Sequence, residues 1–323
     1  MGRYLIRRIG FTVLVLLVVS LLTFLIFVKL PTGDPARRAT GRASTPEQIA
    51  NARKAFGLDQ PLWVQYGRFA KGLIPLPGLF LSEDVYYSYG NFIPVREEIA
   101  RRLPVTVALA LGGAALWLLI GIPVGIAAGV RRKSSMSRFS MLIAIIGVSI
   151  PVFWLGQLLL YIFWFRLGWA PPSGMDVGVG VWGSVLDGRF LLPWITVAVG
   201  YAAFYARMVR SNVIETMHED YIRTARAKGL PERGVIYRHG LRGALTPVVT
   251  MLGLDLGTLL GGLFIVETLF GLPGVGQLAV TSIATNDFPM VMGVTVLGAL
   301  FIAVANLVVD VAYAALDPRV RYT

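Results

Sequence analysis

The sequence predicts an all-α integral membrane protein with six transmembrane helices, short extracytoplasmic helices after the first span, and a cytoplasmic helix–turn–helix between spans four and five. Three observations carry that expectation. Of the 323 residues, 55% are hydrophobic and only 15% charged, more apolar surface than one water-facing core can hide, so lipid must be part of the solvent. Six apolar stretches, about 9–28, 104–130, 138–165, 191–210, 246–266 and 290–315, reach the roughly 20 residues a helix needs to cross ~30 Å of hydrocarbon. Basic residues, finally, collect in alternate connections.

The first stretch follows Arg3, Arg7 and Arg8. That opening also suits a signal peptide, but the apolar run ends in Lys29-Leu30-Pro31 without a small-residue cleavage site, so it reads as a retained span. With the N-terminus in the cytoplasm, the inner segments carry Arg3, Arg7 and Arg8, then Arg131, Arg132, Lys133 and Arg138, then a basic loop at 207–242, then Arg319 and Arg321. Short outer loops are nearly bare of Lys and Arg, and the basic outer segment 31–102 counts little against this because long loops translocate largely regardless of charge. Both termini are therefore expected on the cytoplasmic side. The organisation expected is a tip and first span at 1–30, an extracytoplasmic segment at 31–103, and a membrane core at 104–323 containing the loop 211–245.

In 31–102, Thr45-Pro46-Glu47 starts a helix, Gly57 stops it and Asp59 caps a second, with Trp63, Tyr66 and Phe69 at helical spacing. The aromatic stripe is open to two readings: packing on the spans, or contact with a delivering protein or substrate. In 211–245, Ile214, Met217, Tyr221 and Ala225 form one helical stripe. Glu215, Glu219 and Asp220 come early and Arg223, Arg226 and Lys228 late, as the helix dipole favours. Gly229 ends that helix and Pro231 suits the first turn of another, running through Ile236 towards His239. A net charge of +12 and a helix–turn–helix suggest nucleic acid in a soluble protein, but here both ends enter the bilayer within a few residues, leaving no recognition helix free for a groove.

Residues 214–242 resemble the cytoplasmic signature of binding-protein-dependent ABC transporter permeases, with Arg223, Thr224, Ala225 and Gly229 at the polar, small and glycine positions, then Ile236, Leu241 and Arg242. Arg223 stands where the pattern often has Glu, and Arg242 where it often has Pro. The run Glu219-Asp220-Tyr221-Ile222-Arg223-Thr224-Ala225-Arg226-Ala227-Lys228-Gly229 is similar to the dipeptide and oligopeptide branch. So are Gly57-Leu58-Asp59-Gln60-Pro61, Arg102-Leu103-Pro104-Val105-Thr106 and Glu267-Thr268-Leu269-Phe270-Gly271.

The resemblance implies a peptide-importing permease subunit of the bacterial inner membrane that works by alternating access. Its implied partners are a second homologous permease, two cytoplasmic ATPases that bind ATP and magnesium, and an extracytoplasmic binding protein. The ATPase-coupling residues it implies are Glu219, Asp220, Tyr221, Arg223, Thr224, Ala225, Arg226, Lys228, Gly229 and Arg242. A nickel chelate, glutathione or haem is the alternative cargo within the branch. Independently, the chain contains no G-x-x-x-x-G-K-[ST] phosphate cradle, so ATP chemistry must come from a partner and no cofactor is expected on this chain.

Ionisable groups inside spans are costly and call for a role. Asp255 either meets a substrate ammonium in the pathway or makes a helix-to-helix hydrogen bond. Glu267, near the outer end of span five, either holds a gate or sits in the wet interface. Asp310 is expected to pair with a basic residue. Glycines 253, 257, 261 and 262 let another helix come close, within the chain or from a second subunit, and Pro151 should kink span three. With no cysteine, and His218 and His239 both in the loop, no metal or catalytic site is expected. A channel would need pathway charges or a filter-like loop, and a membrane enzyme a polar cluster at one depth; neither pattern is evident.

Overall fold

The computed structural model describes residues 2–29, 35–40, 45–55, 57–72, 87–88, 93–176 and 178–316. The helices are α1 (Gly2–Phe24, continued by a π turn Leu25–Lys29), α2 (Pro35–Thr40), α3 (Pro46–Ala55), α4 (Leu62–Lys71) and α5 (Val95–Val130). Then come α6 (Ser135–Ser149), α7 (Val152–Leu159, with a π turn Leu160–Arg166), α8 (Gly180–Leu186) and α9 (Leu191–Thr216). The remainder are α10 (Asp220–Ala227), α11 (Glu232–Gly234, with a π turn Val235–Gly240), α12 (Leu241–Ala244), α13 (Thr246–Leu260), α14 (Phe264–Leu269), α15 (Val275–Ala284) and α16 (Phe288–Leu316). Among the described residues the only isolated extended pairing is a bridge between Tyr87 and Pro94.

Among the described residues, four helices are long and apolar enough to cross a membrane unbroken: Ile6–Val28, Val95–Val130, Leu191–Thr216 and Phe288–Val311. Two bent pairs bring the total to six if each is one crossing, Ser137–Ser149 with Val152–Arg166 at 100° and Glu232–Ala244 with Thr246–Leu260 at 42°. The expected kink in span three is thus a full break. Ile150 is extended (φ −79°, ψ 123°) ahead of Pro151, because the proline ring excludes the helical conformation from the residue before it. Span five is shorter than the apolar run 246–266 suggests: α13 stops at Leu260, and Gly262 turns the chain at φ +125°, a conformation that side chains rarely adopt.

The chain divides into two compact units. One comprises Met1–Thr106, Gly257–Phe264 and Pro273–Thr323. Its core joins Phe24, Phe69, Val95, Ile99, Val275, Leu278 and the Met290–Leu297 stretch of α16. The start of α3 bears out its reading: Gln48 N–H donates to Thr45 Oγ1 (3.3 Å) and Thr45 N–H to Gln48 Oε1 (2.9 Å), a reciprocal cap. The second helix does not start on Asp59; Pro61 occupies its N-cap, and α2 precedes both. The aromatic stripe splits, with Phe69 and Tyr66 packed on Phe24 of the first span and Trp63 77% exposed. Asp310 pairs with Arg8, as expected of it. Gly257 meets Ala305, and Gly261 meets Gly298, so this small-residue face is used within the chain. Of residues 74–92, only Tyr87 and Ser88 lie among the described residues, and the Ser88 hydroxyl donates to Asp287. Arg319 and Arg321 lie outside the described residues.

The other unit comprises Val107–Leu256 and Ile265–Leu272. Its seam runs between α5 and α9. Gly121, Gly125 and Gly129 recur every fourth residue, and a Cβ at Gly125 would stand 2.7 Å from both the Ala206 carbonyl oxygen and Val209 Cβ. Only small residues permit so close an approach of two backbones. Trp194 Nε1 donates across the same seam to the Ala108 carbonyl at 3.0 Å.

Candidate coupling site

Between α9 and α13 the chain builds a small helical body with its own core. α9 runs through Ser211 and Ile214 and ends at Thr216, so the single helical stripe from Ile214 to Ala225 is in fact divided by a turn at Met217–Glu219. Glu219 takes an extended conformation at the N-cap of α10 without a side-chain cap bond. Gly229 (φ +76°) ends α10 as expected, and Pro231 occupies the N-cap of α11. Ile222, Ala225 and Val235 are buried together against Met217. Two residues expected to serve the loop therefore have internal places: Ala225 in this core, and Gly229 at the turn.

The outward face is charged. Arg226 clasps Glu232 through two hydrogen bonds, Nε to Oε2 at 3.1 Å and Nη2 to Oε1 at 2.7 Å. This fork holds the Glu232 carboxyl below its ordinary range and the guanidinium above its own, because each charged form stabilises the other. Arg223 is 3.5 Å from Asp220 and largely exposed, Lys228 is exposed, and the Thr224 hydroxyl donates back to the Asp220 carbonyl at 3.0 Å. The Tyr221 hydroxyl lies 2.9 Å from where a Cβ on Gly243 would stand. Partial burial, with the Glu219 charge second, raises its phenol above the usual value. Arg242 is exposed on α12, which is tied to α9 by Asn212 Nδ2 donating to Ala244 O (3.3 Å).

A groove of about 260 Å³ opens beside Arg223, Arg226 and Glu232, with an apolar floor of Ile214, Met217 and Ile236. Two of its lining groups, Arg132 and His218, were not expected to belong to the site. His218 Nδ1 lies 2.6 Å from the Ile214 carbonyl and its Nε2 3.5 Å from Arg132 Nη1. Nδ1 therefore carries the proton and Nε2 faces the guanidinium as acceptor. The Arg131-Arg132-Lys133 run ending span two was the available signal, and it served only the topology reading. A second depression, about 450 Å³, is lined by Glu215, His218, Glu219 and Asp220.

Inside the spans, Tyr205 donates its hydroxyl to Asp255 Oδ2 at 2.6 Å, joining α9 to α13 as the helix-to-helix reading anticipates. Trp117 stacks on Tyr201 with ring centroids 4.6 Å apart and lies 5.9 Å from Tyr205. Glu267 departs from expectation: it sits on α14 rather than on the fifth span, and at 0% exposure it is not in a wet interface. Among the described residues no group of three His, Cys, Asp or Glu converges as a metal site.

Residues 121–322 match the family described as the binding-protein-dependent transport system inner membrane component, and residues 1–110 match the N-terminal family of the same membrane components. The chain belongs to the binding-protein-dependent transport permeases. It is 41% identical over 322 residues to the glutathione transport system permease protein GsiC of Salmonella paratyphi A, and 39% identical to that of Escherichia coli K12. Both alignments cover 100% of each chain. Two inward-facing structures of the MetNI methionine ABC transporter share the fold, with TM-scores of 0.53 and 0.56 at 21% and 22% identity, covering 69% of this chain and 98% of theirs. As a member of the family, the permease is a non-catalytic, multi-pass subunit of an ABC importer. Membership implies an ATPase and a binding protein as its partners.

Proposed function

We propose that this permease is one of two related membrane halves of an ATP-driven importer for small peptides, glutathione included. It lies in the cytoplasmic membrane with both termini inside, and the body at 217–245 is the lever through which two ATPases drive alternating access. The observation that carries the reading is the separate core of Ile222, Ala225 and Val235 beneath an exposed charged face. A connector needs no core of its own; a part that transmits force does, because packed interiors deform little. Arg223, Lys228 and the Arg226–Glu232 pair present the surface for ATPase contact, with Asp220, Tyr221 and Arg242 beside it. ATP and magnesium belong to those partners. Full-length similarity to permeases named for glutathione supports a peptide-like cargo over a nickel chelate or haem.

The test is affinity purification of the tagged chain in mild detergent, then ATP-dependent uptake in proteoliposomes supplied with the binding protein. Recovery with a second permease and ATPases, and uptake of labelled dipeptide or glutathione, is the expected result. A chain recovered alone that leaks ions in vesicles would point to a channel instead.

A further inference from the structure

We propose that the 260 Å³ groove beside the 217–245 body binds the headgroup of an anionic phospholipid. The inference rests on the importer reading only for the side of the membrane, and it adds a ligand that the reading does not contain. The walls of the groove come from two places. Gly129 and Val130 end α5 and Ile214 lies in the last turn of α9, whereas Arg223, Arg226 and Ile236 belong to the body. The apolar run of α5 stops at Val130 and Arg131-Arg132-Lys133 follows directly, so the groove sits where hydrocarbon gives way to headgroups.

The charges of the lining do not cancel. Three guanidinium groups, of Arg132, Arg223 and Arg226, border the groove with one carboxylate, that of Glu232. Glu232 is taken by the fork to Arg226, and Arg223 is 3.5 Å from Asp220, itself almost fully exposed. Arg132 meets only an acceptor without negative charge, His218 Nε2 at 3.5 Å. No Asp or Glu occurs between 99 and 175, and among the described residues no carboxylate pairs with Arg132. The ligand that answers these features carries an anion for the rim and hydrocarbon for the floor of Ile214, Met217 and Ile236. An anionic phospholipid has both, and guanidinium groups match its phosphate oxygens bidentately. Basic pockets at the cytoplasmic ends of spans suit such headgroups.

In the test, the permease is purified with the subunits that accompany it and given equal amounts of phosphatidylglycerol and phosphatidylcholine with the same acyl chains. Native mass spectrometry reads the ratio of the two lipids retained. Phosphatidylglycerol is expected in excess, and Arg132→Gln should cut the ratio about fivefold, the factor equivalent to ~1 kcal/mol per arginine at an anionic membrane surface. Lys133→Gln, one residue away and outside the groove lining, should leave the ratio nearly unchanged. A wild-type ratio near one overturns the proposal, and so do equal losses in the two variants, which would mean diffuse attraction to basic residues. If Arg132→Gln fails to assemble, Arg223→Gln decides: a ratio reduced several-fold supports the site and an unchanged one overturns it. Excess glycerol 3-phosphate separates the sources of the anion. Phosphatidylglycerol retained in its presence supports a lipid site, and displacement overturns it in favour of a soluble phosphate. Selectivity that disappears whenever ATPases are bound also overturns it, since the groove would then be theirs. ATP-dependent uptake on the same preparation, with binding protein added, keeps the two readings apart: selective retention without uptake removes the importer and keeps the lipid site, and uptake without selective retention does the reverse.

Discussion

At the scale of single residues, the fork between Arg226 and Glu232 gives a pH dependence whose sign is fixed. Glu232 has its carboxyl depressed by the guanidinium. The pair therefore contributes fully above the unfolded glutamate value of about 4.3, and the contribution is lost as pH falls through the lower folded value. Both side chains are substantially exposed, so the effect should be below about 1 kcal/mol. Hydrogen exchange at 226–236 should rise as pH is lowered below about 4, after correction for intrinsic rates, and Glu232→Gln should abolish the pH-dependent part. Glycine positions give a larger effect. Gly125→Leu must push α9 away from α5 at Ala206 and Val209 and should cost about 1–3 kcal/mol, whereas Gly10→Ala, with nothing within 4 Å, should leave the melting temperature in detergent unchanged. Sequence alone marked Asp255 as a costly charge but did not give Tyr205 as its partner, since 50 residues separate them. The glycine stripe at 121, 125 and 129 was equally visible in the sequence, yet spacing does not say which helix fills it.

At the scale of elements, apolar runs located the spans well and their interruptions poorly. Hydropathy averages over a window, so it does not register the break at Ile150-Pro151 or the turn at Gly261-Gly262, and Glu267 was accordingly placed on the wrong helix. The helix–turn–helix was legible because Gly229 and Pro231 are local signals that need no tertiary partner. Its inward stripe was blurred because the termination of α9 at Thr216 depends on packing. Two substitutions separate its core from its face. Ile222→Ala removes a fully buried side chain and should loosen the body by about 2–4 kcal/mol, read as faster exchange across 220–236. Arg223→Glu changes only exposed charge, so exchange should stay as in the wild type while ATPase recovery and transport-coupled hydrolysis fall. Retained recovery in Arg223→Glu would remove this face from the contact.

At the scale of the whole molecule, the grouping of the first and last helices in one unit, with Arg8 paired to Asp310, is the feature least accessible to sequence. Hydropathy ranks spans along the chain and is blind to which ends meet. Orientation is expected from charge asymmetry alone, with no need of tertiary structure. Arg131, Arg132, Lys133 and the 207–242 loop should face the cytoplasm because moving such clusters across the bilayer is disfavoured during insertion. The chain has no cysteine, so a single introduced thiol reports without background. Ser135→Cys and Lys228→Cys, both at exposed positions, should react with a membrane-impermeant maleimide only after the cells are permeabilised. Ser173→Cys and Thr285→Cys, also exposed, should react in intact cells once the outer envelope is passed. The opposite pattern at all four sites would invert the topology and put the 217–245 body out of reach of any cytoplasmic ATPase. A mixed pattern, with Ser135 and Lys228 on opposite faces, would mean that one bent pair of helices enters and leaves by the same side.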